Sequence, residues 1–243
     1  MNGVLRMKKI TVETNFWELF PEAQINVLTV KGIHNQNTEE EQDYFIELLK
    51  NGKKEAQQFL TEEIFSHNSV VDEWRKAFGL FKTKKGARSS IEALLKRVSQ
   101  DREFSPINPL VDIYNSVSLT YGLPCGGEDW HVIQGDLHLG KAQGGESFRP
   151  LGSEEDSPAL PEEIIYYDNE GAICRCLNWR EAQRTMLTEN TTDAILVIES
   201  INQTQAQQAD KAIRVLKKLV DDYFKIESSI STLTKANASV SIE

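Results

Sequence analysis

The densest group of polar residues in the sequence lies between residues 175 and 188. Arg175 and Arg180 stand near Trp179, and such a set can clamp a carboxylate or phosphate and stack on a base. Loops held by rigid strands commonly carry function, so the position of this group after a predicted strand favours a binding site. A solvated loop explains the same residues about equally well. The group consists of Arg175, Asn178, Trp179, Arg180, Glu181, Arg184, Thr185 and Thr188.

The motif Cys174-Arg175-Cys176 offers thiols either to a metal or to the core. Side chains alternate along a strand, so both sulfurs face one way and Arg175 faces the other way, toward a possible pocket. A structural zinc site needs a tetrahedral set of ligands, usually with roughly two to four residues between cysteines. Only Cys125 and the histidines remain to complete such a set. We therefore predict two core cysteines and no metal site.

The segment 122–129 (GLPCGGED) is rich in glycine and ends in two acids. Gly126 and Gly127 permit positive φ and a close approach of the backbone to a ligand, and Glu128 and Asp129 follow directly. The segment lacks the Lys-Ser/Thr pair of a phosphate-binding loop and the strand–turn–helix order of a dinucleotide fingerprint. It predicts a tight turn, with a ligand-binding turn as the alternative.

The four histidines are scattered along the chain. His34 and His67 lie in predicted loops, whereas His131 and His138 alternate with apolar residues on predicted strands and are candidates to line a cavity. No serine or cysteine in a recognisable motif accompanies them, so we predict structural histidines.

A layered α/β domain is predicted to position these residues. Its first part contains strands at 10–13 and 25–30, on either side of a turn near Pro21. Thr38 and Glu41 have the spacing of a capping box at the start of a helix. Further predicted elements are a helix through Phe45, Leu48 and Leu49, a helix through Val70, Val71, Trp74 and Phe78, a basic loop at 82–87 (KTKKGA), and a helix capped by Ser89 or Ser90 that carries Ile91, Leu94, Leu95 and Val98.

The second part begins with a helix that ends at Gly122, a residue typical of helix C-caps. From there to Ser200 the hydrophobic period shifts to two, and a closing helix at 205–226 follows. The short predicted strands are 131–133, 137–139, 164–167, 172–176 and 194–199. We predict one domain over 1–228, divided into 1–104 (strands and helices), 105–200 (core) and 201–228 (C-terminal helix), with a flexible tail at 229–243.

Composition restricts the class of protein. The hydrophobic share of the 243 residues is 40%, and the 14 glycines raise the apolar share to roughly 46%, which is usual for a globular chain and excludes a disordered or fibrous one. No apolar run approaches the roughly 18 residues that a membrane span needs, and the start MNGVLRMKK lacks the apolar stretch of a signal peptide. Three cysteines are too few for a disulfide scaffold. We expect a cytoplasmic protein without a membrane partner.

Charge restricts the partners further. The chain has 27 basic and 37 acidic residues, a formal net charge of −10. An acidic surface repels phosphates, so broad contact with nucleic acid is disfavoured and DNA is not expected as a partner. An RNA partner would be bound at a local site. The Lys pairs at 53–54 and 84–85, with Lys82, are the basic concentrations, and a solvated surface is their simpler interpretation.

The run 108–129 (NPLVDIYNSVSLTYGLPCGGED) resembles the segment that opens the B3/B4 editing domain of the phenylalanyl-tRNA synthetase beta subunit. In that domain a Val-Asp-x-x-Asn helix is followed by Gly-x-Pro and an acidic residue. The resemblance covers about 105–200 and, with the runs at 88–98 and 174–181, identifies the chain as similar to a stand-alone member of the family. Later pieces follow in the same order: Gly135-Asp136, Gly145-Glu146, LG at 151–152, IIYYD at 164–168 and TTDAILVIE at 191–199.

The resemblance implies a three-layer β/β/α sandwich in which two sheets and flanking helices enclose a pocket. In the synthetase that pocket receives the 3′ end of a mischarged tRNA and hydrolyses its ester. Asn115 matches the asparagine that borders the pocket, and Gly126 stands where the synthetase usually has a histidine, flanked by Cys125 and Gly127. Glu181 is matched to the glutamate of a glycine-rich turn whose glycines are replaced here by Asn178, Trp179 and Arg180, which is expected to reshape the pocket.

An aminoacyl ester is already activated, so positioned water and oxyanion donors can hydrolyse it without a covalent nucleophile. The expected donors are the side chain of Asn115 and the backbone of Gly126 and Gly127. Glu181 or Asp129 is expected to hold or deprotonate water. The substrate is expected to contact Cys125, Gly126, Gly127, Arg175, Asn178, Trp179, Arg180 and Thr188, with Arg175 and Arg180 anchoring the terminal phosphate.

These expectations predict a trans-acting aminoacyl-tRNA deacylase whose partner is the 3′ end of tRNA. Synthetase activity is not expected, and nothing in the sequence requires a metal or organic cofactor. Two alternatives stay open. One is a non-catalytic module that binds RNA, aminoacyl-tRNA or an amino-acid derivative, which the loss of the histidine at Gly126 favours. The other is a protein that acts on a small aminoacyl compound, which suits the acidic surface.

Overall fold

A computed structural model describes residues 7–242. Residues 1–6, part of the start in which no signal stretch was expected, and Glu243 lie outside the described residues. The helices are α1 (Thr14–Leu19), α2 (Gln42–Ala56), α3 (Ser69–Phe78), α4 (Ser90–Ser99), α5 (Pro109–Tyr121) and α6 (Gln203–Phe224). The strands are β1 (Lys8–Val12), β2 (Gln24–Val30), β3 (Cys125–Asp129), β4 (Leu137–Lys141), β5 (Ile164–Tyr167), β6 (Ala172–Arg175), β7 (Arg180–Glu181), β8 (Ala194–Ser200), β9 (Ser229–Leu233) and β10 (Ser239–Ile242).

Within residues 7–242 these strands form two sheets. The long sheet has the order β10-β1-β4-β5-β6-β7, and the short sheet has the order β3-β8-β2-β9. In the long sheet β1 runs parallel to β4, whereas β8 is antiparallel to both of its neighbours in the short sheet. Strands β4 to β7 follow one another as an antiparallel meander, whereas the pairs of β1 with β4 and β10 and all pairs of the short sheet join strands that are distant in the sequence.

The short sheet is the middle layer, because both of its faces are apolar. On β8, Ile195 packs in the core that contains residues of the long sheet, whereas Leu196 and Ile198 pack in the core with α2, α5 and α6. Strand β2 alternates in the same way, with Ile25 facing the first core and Leu28 the second. The order of layers is sheet, sheet, helices, which confirms the mixed α/β fold with two sheets that the family resemblance implied.

Two predicted helix boundaries at the site are confirmed, the start of α4 at Ser89 and the end of α5 at Gly122. The side chain of Ser89 accepts a hydrogen bond from the backbone of Glu92 at the start of α4. Asn108 caps α5, and Gly122 ends it with φ of 66°. Glycine adopts this left-handed backbone conformation without a steric penalty. The capping box of Thr38 and Glu41 is also confirmed.

Several local predictions are wrong. Residues 131–133 turn rather than form a strand, since Oδ1 of Asp129 accepts the backbone N–H of His131 at 3.0 Å and bends the chain. Gly126 and Gly127 do not form a tight turn, because they lie inside β3 and pair with Val197 and Leu196. Helix α1 occupies the segment between β1 and β2, where only a turn was expected.

The expected flexible tail is ordered. Residues 229–242 supply β9, which pairs with β2, and β10, which pairs with β1. Leu233 and Ile242 are buried, whereas Ser229 and Ser239 are exposed, a pattern typical of strands at sheet edges. These pairings between the two ends of the described chain support the prediction of one domain, which stays a prediction. No helix within residues 7–242 combines the length and the hydropathy that crossing a membrane requires.

Candidate functional site

The two sheets enclose a cavity of about 410 Å³. We call it the intersheet cavity; its wall comes from both sheets, from α4 and α5, and from the segment 177–179. Its volume lies in the range of small-molecule sites, roughly 300–1,000 Å³. Most predicted site residues lie in its wall: Asn115, Cys125, Gly126, Gly127, Asn178, Trp179, Arg180 and Glu181.

One wall is the face of the short sheet that is turned toward the long sheet. Gly126 pairs with Val197, and Glu128 pairs with Ile195, in the antiparallel ladder of β3 and β8. Side chains directly opposite in such a ladder share a face, and all four residues line the cavity. Glu199 lies on the same face of β8, two residues beyond Val197.

The facing wall is a row across the long sheet. Tyr166 of β5 pairs with Cys174 of β6, and Cys174 pairs with Glu181 of β7. All three line the cavity, as does Leu137 of β4. The cross-strand register therefore brings Glu181 into the cavity opposite Gly126, although Arg180 beside it faces outward and is exposed.

Glu199 joins the two walls. Its Oε1 accepts a 2.7 Å hydrogen bond from the hydroxyl of Tyr166, and its Oε2 accepts one from Nδ2 of Asn178. Oδ1 of Asn178 in turn accepts the backbone N–H of Ser90 at 3.0 Å, which ties the start of α4 to the cavity. Burial raises the pKa of Glu199 to about 7, although both hydrogen bonds oppose the rise.

Glu181 is a cavity carboxyl whose pKa is raised. Its side chain is partly buried, and desolvation raises its pKa to about 7, an effect that the backbone N–H of Gly127 partly offsets. A β-carbon at Gly126 would stand 3.5 Å from Oε1 of Glu181, an ordinary contact distance. Gly126 therefore leaves space beside the carboxyl for a small molecule.

Gly126 and Gly127 differ in what surrounds them. A β-carbon at Gly127 would lie 2.4 Å from Cδ2 of Leu196 and 2.9 Å from Cδ1 of Leu187, on the core side of β3. Glu199 N donates to Pro124 O, and Trp130 N donates to Asp193 O. In an antiparallel sheet every second residue pair is joined by backbone hydrogen bonds. Counting in steps of two from these bonded pairs reaches the pair of Gly126 and Val197. The Gly126 amide is therefore used in the β3–β8 ladder and is not an oxyanion donor. The Gly127 amide faces Glu181.

Glu128 is a further carboxyl in the cavity that the predicted site did not include. It is 8% exposed, and burial, followed by the nearby charge of Glu181, raises its pKa well above the usual value. Arg184 and Thr185 oppose that rise. Within residues 7–242, no group makes a hydrogen bond to Oε2 of Glu128.

Helices and a tryptophan–arginine pair form the rest of the wall. Tyr114 and Asn115 come from α5, and Ser90 comes from α4. The guanidinium of Arg180 lies over the ring of Trp179 at 5.1 Å, next to the cavity. Because Arg180 and Leu151 are exposed, this side of the cavity meets solvent. Among the described residues of the wall, Arg180 carries the one positive charge.

The structure places three predicted site residues outside the cavity wall as described. Arg175 is 1% exposed and binds Glu163 through two hydrogen bonds of 2.8 and 2.6 Å, so it does not reach a substrate phosphate. Asp129 accepts a 2.8 Å hydrogen bond from Thr191. The backbone N–H of Thr188 donates to the hydroxyl of Thr191 at 3.0 Å. Thr188 and Thr191 both belong to the loop before β8.

The thiols do not share one face as the motif predicted. Cys174 lines the cavity, but β6 ends at Arg175 and Cys176 adopts φ of 48°. The Sγ of Cys176 therefore donates to Oε1 of Glu163 at 3.1 Å. Burial raises the pKa of Cys125 and of Cys174, which keeps both cavity thiols protonated. Among the groups of His, Cys, Asp and Glu in residues 7–242, none has the arrangement of a metal site.

Two of the histidines contact carboxylates outside the cavity wall. Nδ1 of His138 lies 2.7 Å from Oε1 of Glu13, and Nε2 of His131 lies 3.1 Å from Oδ2 of Asp193. Among the described residues of the cavity wall there is no histidine.

Glu128, Glu199 and Tyr166 are cavity residues that the sequence interpretation missed. For Glu199 the signal is a single acid in the otherwise apolar strand AILVIE, and for Glu128 it is an acid two residues after Gly126, at the position that shares a face with it on a strand. Such an acid must find a partner or stay protonated once it is buried. Tyr166 carries no such signal, because aromatic residues are common in strands.

The assembled site holds two carboxyls that titrate near neutral pH in a mostly apolar cavity. A family model described as "B3/4 domain" matches residues 73–229, which include the residues 90–199 that build the wall. Among solved structures, the crystal structure of an N-terminal fragment of the phenylalanyl-tRNA synthetase beta subunit from Pyrococcus horikoshii is similar to this chain, with a TM-score of 0.48 and 12% identity. The match covers 93% of this chain and 52% of the fragment, so the chain spans about half of that fragment's length. No curated protein matches the chain.

Proposed function

The chain belongs to the B3/4 domain family, and from that premise we propose that the intersheet cavity binds the aminoacylated 3′ end of tRNA and hydrolyses its ester. The resemblance of residues 108–129 to a synthetase editing domain supports a tRNA-related role. The observation that carries the proposal is the position of Glu181. Its carboxyl has a pKa of about 7 and borders the space left by Gly126, where a water and an ester carbonyl can meet.

In the proposed reaction Glu181 accepts a proton from a water molecule as the water oxygen attacks the ester carbonyl. A base with a pKa near the working pH is effective in such a step. Asn115 and the hydroxyl of Ser90, which both lie in the wall, are the side-chain donors for the developing oxyanion. Collapse of the tetrahedral intermediate breaks the bond to the ribose oxygen, which takes the proton back from Glu181.

The outer side of the cavity suits the RNA. Arg180 is exposed and lies over Trp179, so this pair offers a positive charge to the terminal phosphate and a ring face to the terminal base. A contact limited to the 3′ end agrees with the net charge of −10, which disfavours binding along the whole RNA. A deacylase of this kind works where tRNA is charged, and we therefore place it in the cytoplasm.

The second candidate function is binding without catalysis, of RNA, an aminoacyl-tRNA or a small aminoacyl compound. Gly126 favours it, because the synthetase family usually has a histidine at this position and its side chain would lie beside Glu181. In this alternative the raised pKa values of Glu181 and Glu199 reflect burial alone.

The test is incubation of the protein with a panel of labelled aminoacyl-tRNAs, followed by measurement of released amino acid. Hydrolysis of at least one pair, reduced roughly a hundredfold in Glu181→Gln, is the expected result. Glu55→Gln changes an exposed acid on α2 and is the matched control. Binding without release supports the binding module instead. Release from a small aminoacyl ester but not from RNA supports a small-molecule substrate.

A further inference from the structure

Glu128 is a buried carboxyl that the proposed reaction does not use. It lies on the same face of β3 as Gly126 and lines the intersheet cavity. It is 8% exposed, yet among the described residues nothing donates a hydrogen bond to its Oε2. The hydroxyl oxygen of Ser90, in the same cavity wall, is likewise buried without a hydrogen bond inside the described range.

Other buried acids of this protein have partners. Glu163 binds the guanidinium of Arg175, and Glu199 accepts hydrogen bonds from Tyr166 and Asn178. At Glu128 the nearby Thr185 and the charge of Arg184 offset only part of the desolvation, and an oxygen such as Oε2 that is buried without a hydrogen bond from any described residue is costly. The fold thus leaves at Glu128 a desolvation cost that hydrogen-bonding partners offset at Glu163 and Glu199. This difference points to a partner supplied by a ligand.

The charges of the cavity show which ligand end meets Glu128. The inner wall contains Glu128, Glu181 and Glu199, whereas Arg180 stands at the side that meets solvent. Nearby carboxyls repel one another when ionised, and the charge of Glu181 contributes to the raised pKa of Glu128. A cation between them relieves that repulsion. A ligand with an anionic end at Arg180 and a cationic end inside matches this polarity.

We propose that Glu128 binds the α-ammonium group of the aminoacyl moiety, so that the cavity accepts amino acids with a free amine and rejects N-acylated ones. This inference rests on the proposed function, because an aminoacyl-tRNA carries its phosphate and its ammonium at opposite sides of the ester. Ammonium bound at Glu128 also places a positive charge near Glu181, where it favours the ionised form that acts as the base.

Isothermal titration calorimetry with the amides of alanine, valine, leucine and phenylalanine, each paired with its N-acetyl twin, tests this inference. We expect at least one free amide to bind the wild-type protein, and its N-acetyl twin to bind roughly tenfold to a hundredfold more weakly. Glu128→Gln is expected to lose affinity for the free amide by a similar factor. Glu55→Gln, on the exposed side of α2, is expected to keep it.

Equal binding of a free amide and its twin overturns the inference, as does the absence of binding by every free amide. Retained affinity in a folded Glu128→Gln also overturns it, and the paired probes on wild-type protein decide the question if that variant does not fold. The aminoacyl-tRNA assay separates this result from the proposed function. Ammonium binding without hydrolysis of any aminoacyl-tRNA contradicts deacylation alone, whereas equal hydrolysis of free and N-acetylated aminoacyl-tRNA contradicts the ammonium site alone.

Discussion

The hydroxyl of Tyr166 donates a 2.7 Å hydrogen bond to Oε1 of Glu199, and this bond connects the long sheet to the short sheet across the cavity. Both side chains are buried. The contact therefore sets the spacing of the two walls and holds the Glu199 carboxyl in place for its second hydrogen bond, from Asn178.

Tyr166→Phe is expected to lower the free energy of unfolding by about 1–3 kcal/mol, because a buried acid loses one of its two donors. Urea denaturation measures the change. Tyr167→Phe is the matched control, since its ring stacks on His138 on the other face of β5, and it is expected to change stability by less. Equal effects of the two variants would contradict a special role for the Tyr166–Glu199 bond.

The paired glycines of β3 are expected to respond differently to alanine. Gly127→Ala places a methyl group 2.4 Å from Leu196 and 2.9 Å from Leu187, and overpacking of this kind costs roughly 1–3 kcal/mol. Gly126→Ala meets Glu181 at 3.5 Å and is expected to fold normally while narrowing the space beside that carboxyl. Thermal or urea unfolding of the two variants measures the contrast. A normal Gly127→Ala would show that β3 shifts to make room.

Stability is expected to fall as pH rises from about 4.5 to about 7. Glu181 and Glu199 each have an ordinary pKa of 4.5, as in the unfolded chain, and a folded pKa of about 7, so the folded state binds more protons than the unfolded state across this interval. Each group then contributes a slope of up to about 1.4 kcal/mol per pH unit. Asp112, with a folded pKa of about 7, acts in the same direction.

Urea denaturation at several pH values within this interval measures the slope. Glu199→Gln removes one of the titrating groups and is expected to flatten it, whatever its effect on absolute stability. Asp168 and Asp221 have lowered pKa values and titrate below 3.8, outside the interval. A free energy of unfolding that stays constant between about pH 5 and pH 7 is incompatible with raised pKa values at these carboxyls.

Deacylation is expected to have the opposite dependence on pH. A general base must be ionised, so kcat/KM is expected to rise about tenfold per pH unit below the pKa of Glu181, which is about 7, and to level off above it. Rates measured with one aminoacyl-tRNA across this range, corrected for spontaneous hydrolysis, give the profile. Glu181→Asp is expected to keep the rising limb at a lower rate, and Glu181→Gln to lose it. An identical limb in Glu181→Gln would assign the titration to another group.

Helices were predicted from the sequence more successfully than strands. Capping residues such as Ser89 and Gly122 act on the nearest turn of backbone, and that local chemistry is visible in the sequence. Strand β3 was missed because two glycines weaken its local signal, and its conformation comes from pairing with β8. The C-terminal strands β9 and β10 were missed for the same reason, since they are held by β2 and β1.

For the candidate site, the sequence by itself determined the family resemblance and a set of site residues most of which lie in the wall, including Asn115, Gly126 and Glu181. Only the tertiary structure decided that Arg175 forms a buried ion pair with Glu163 and that Glu128 and Glu199 line the cavity. The physical reason is that residue type and spacing specify which groups are available, whereas cross-strand register and the approach of the two sheets specify which buried charges find a partner. Partnering, in turn, sets the pKa of each carboxyl and therefore the chemistry that it can perform.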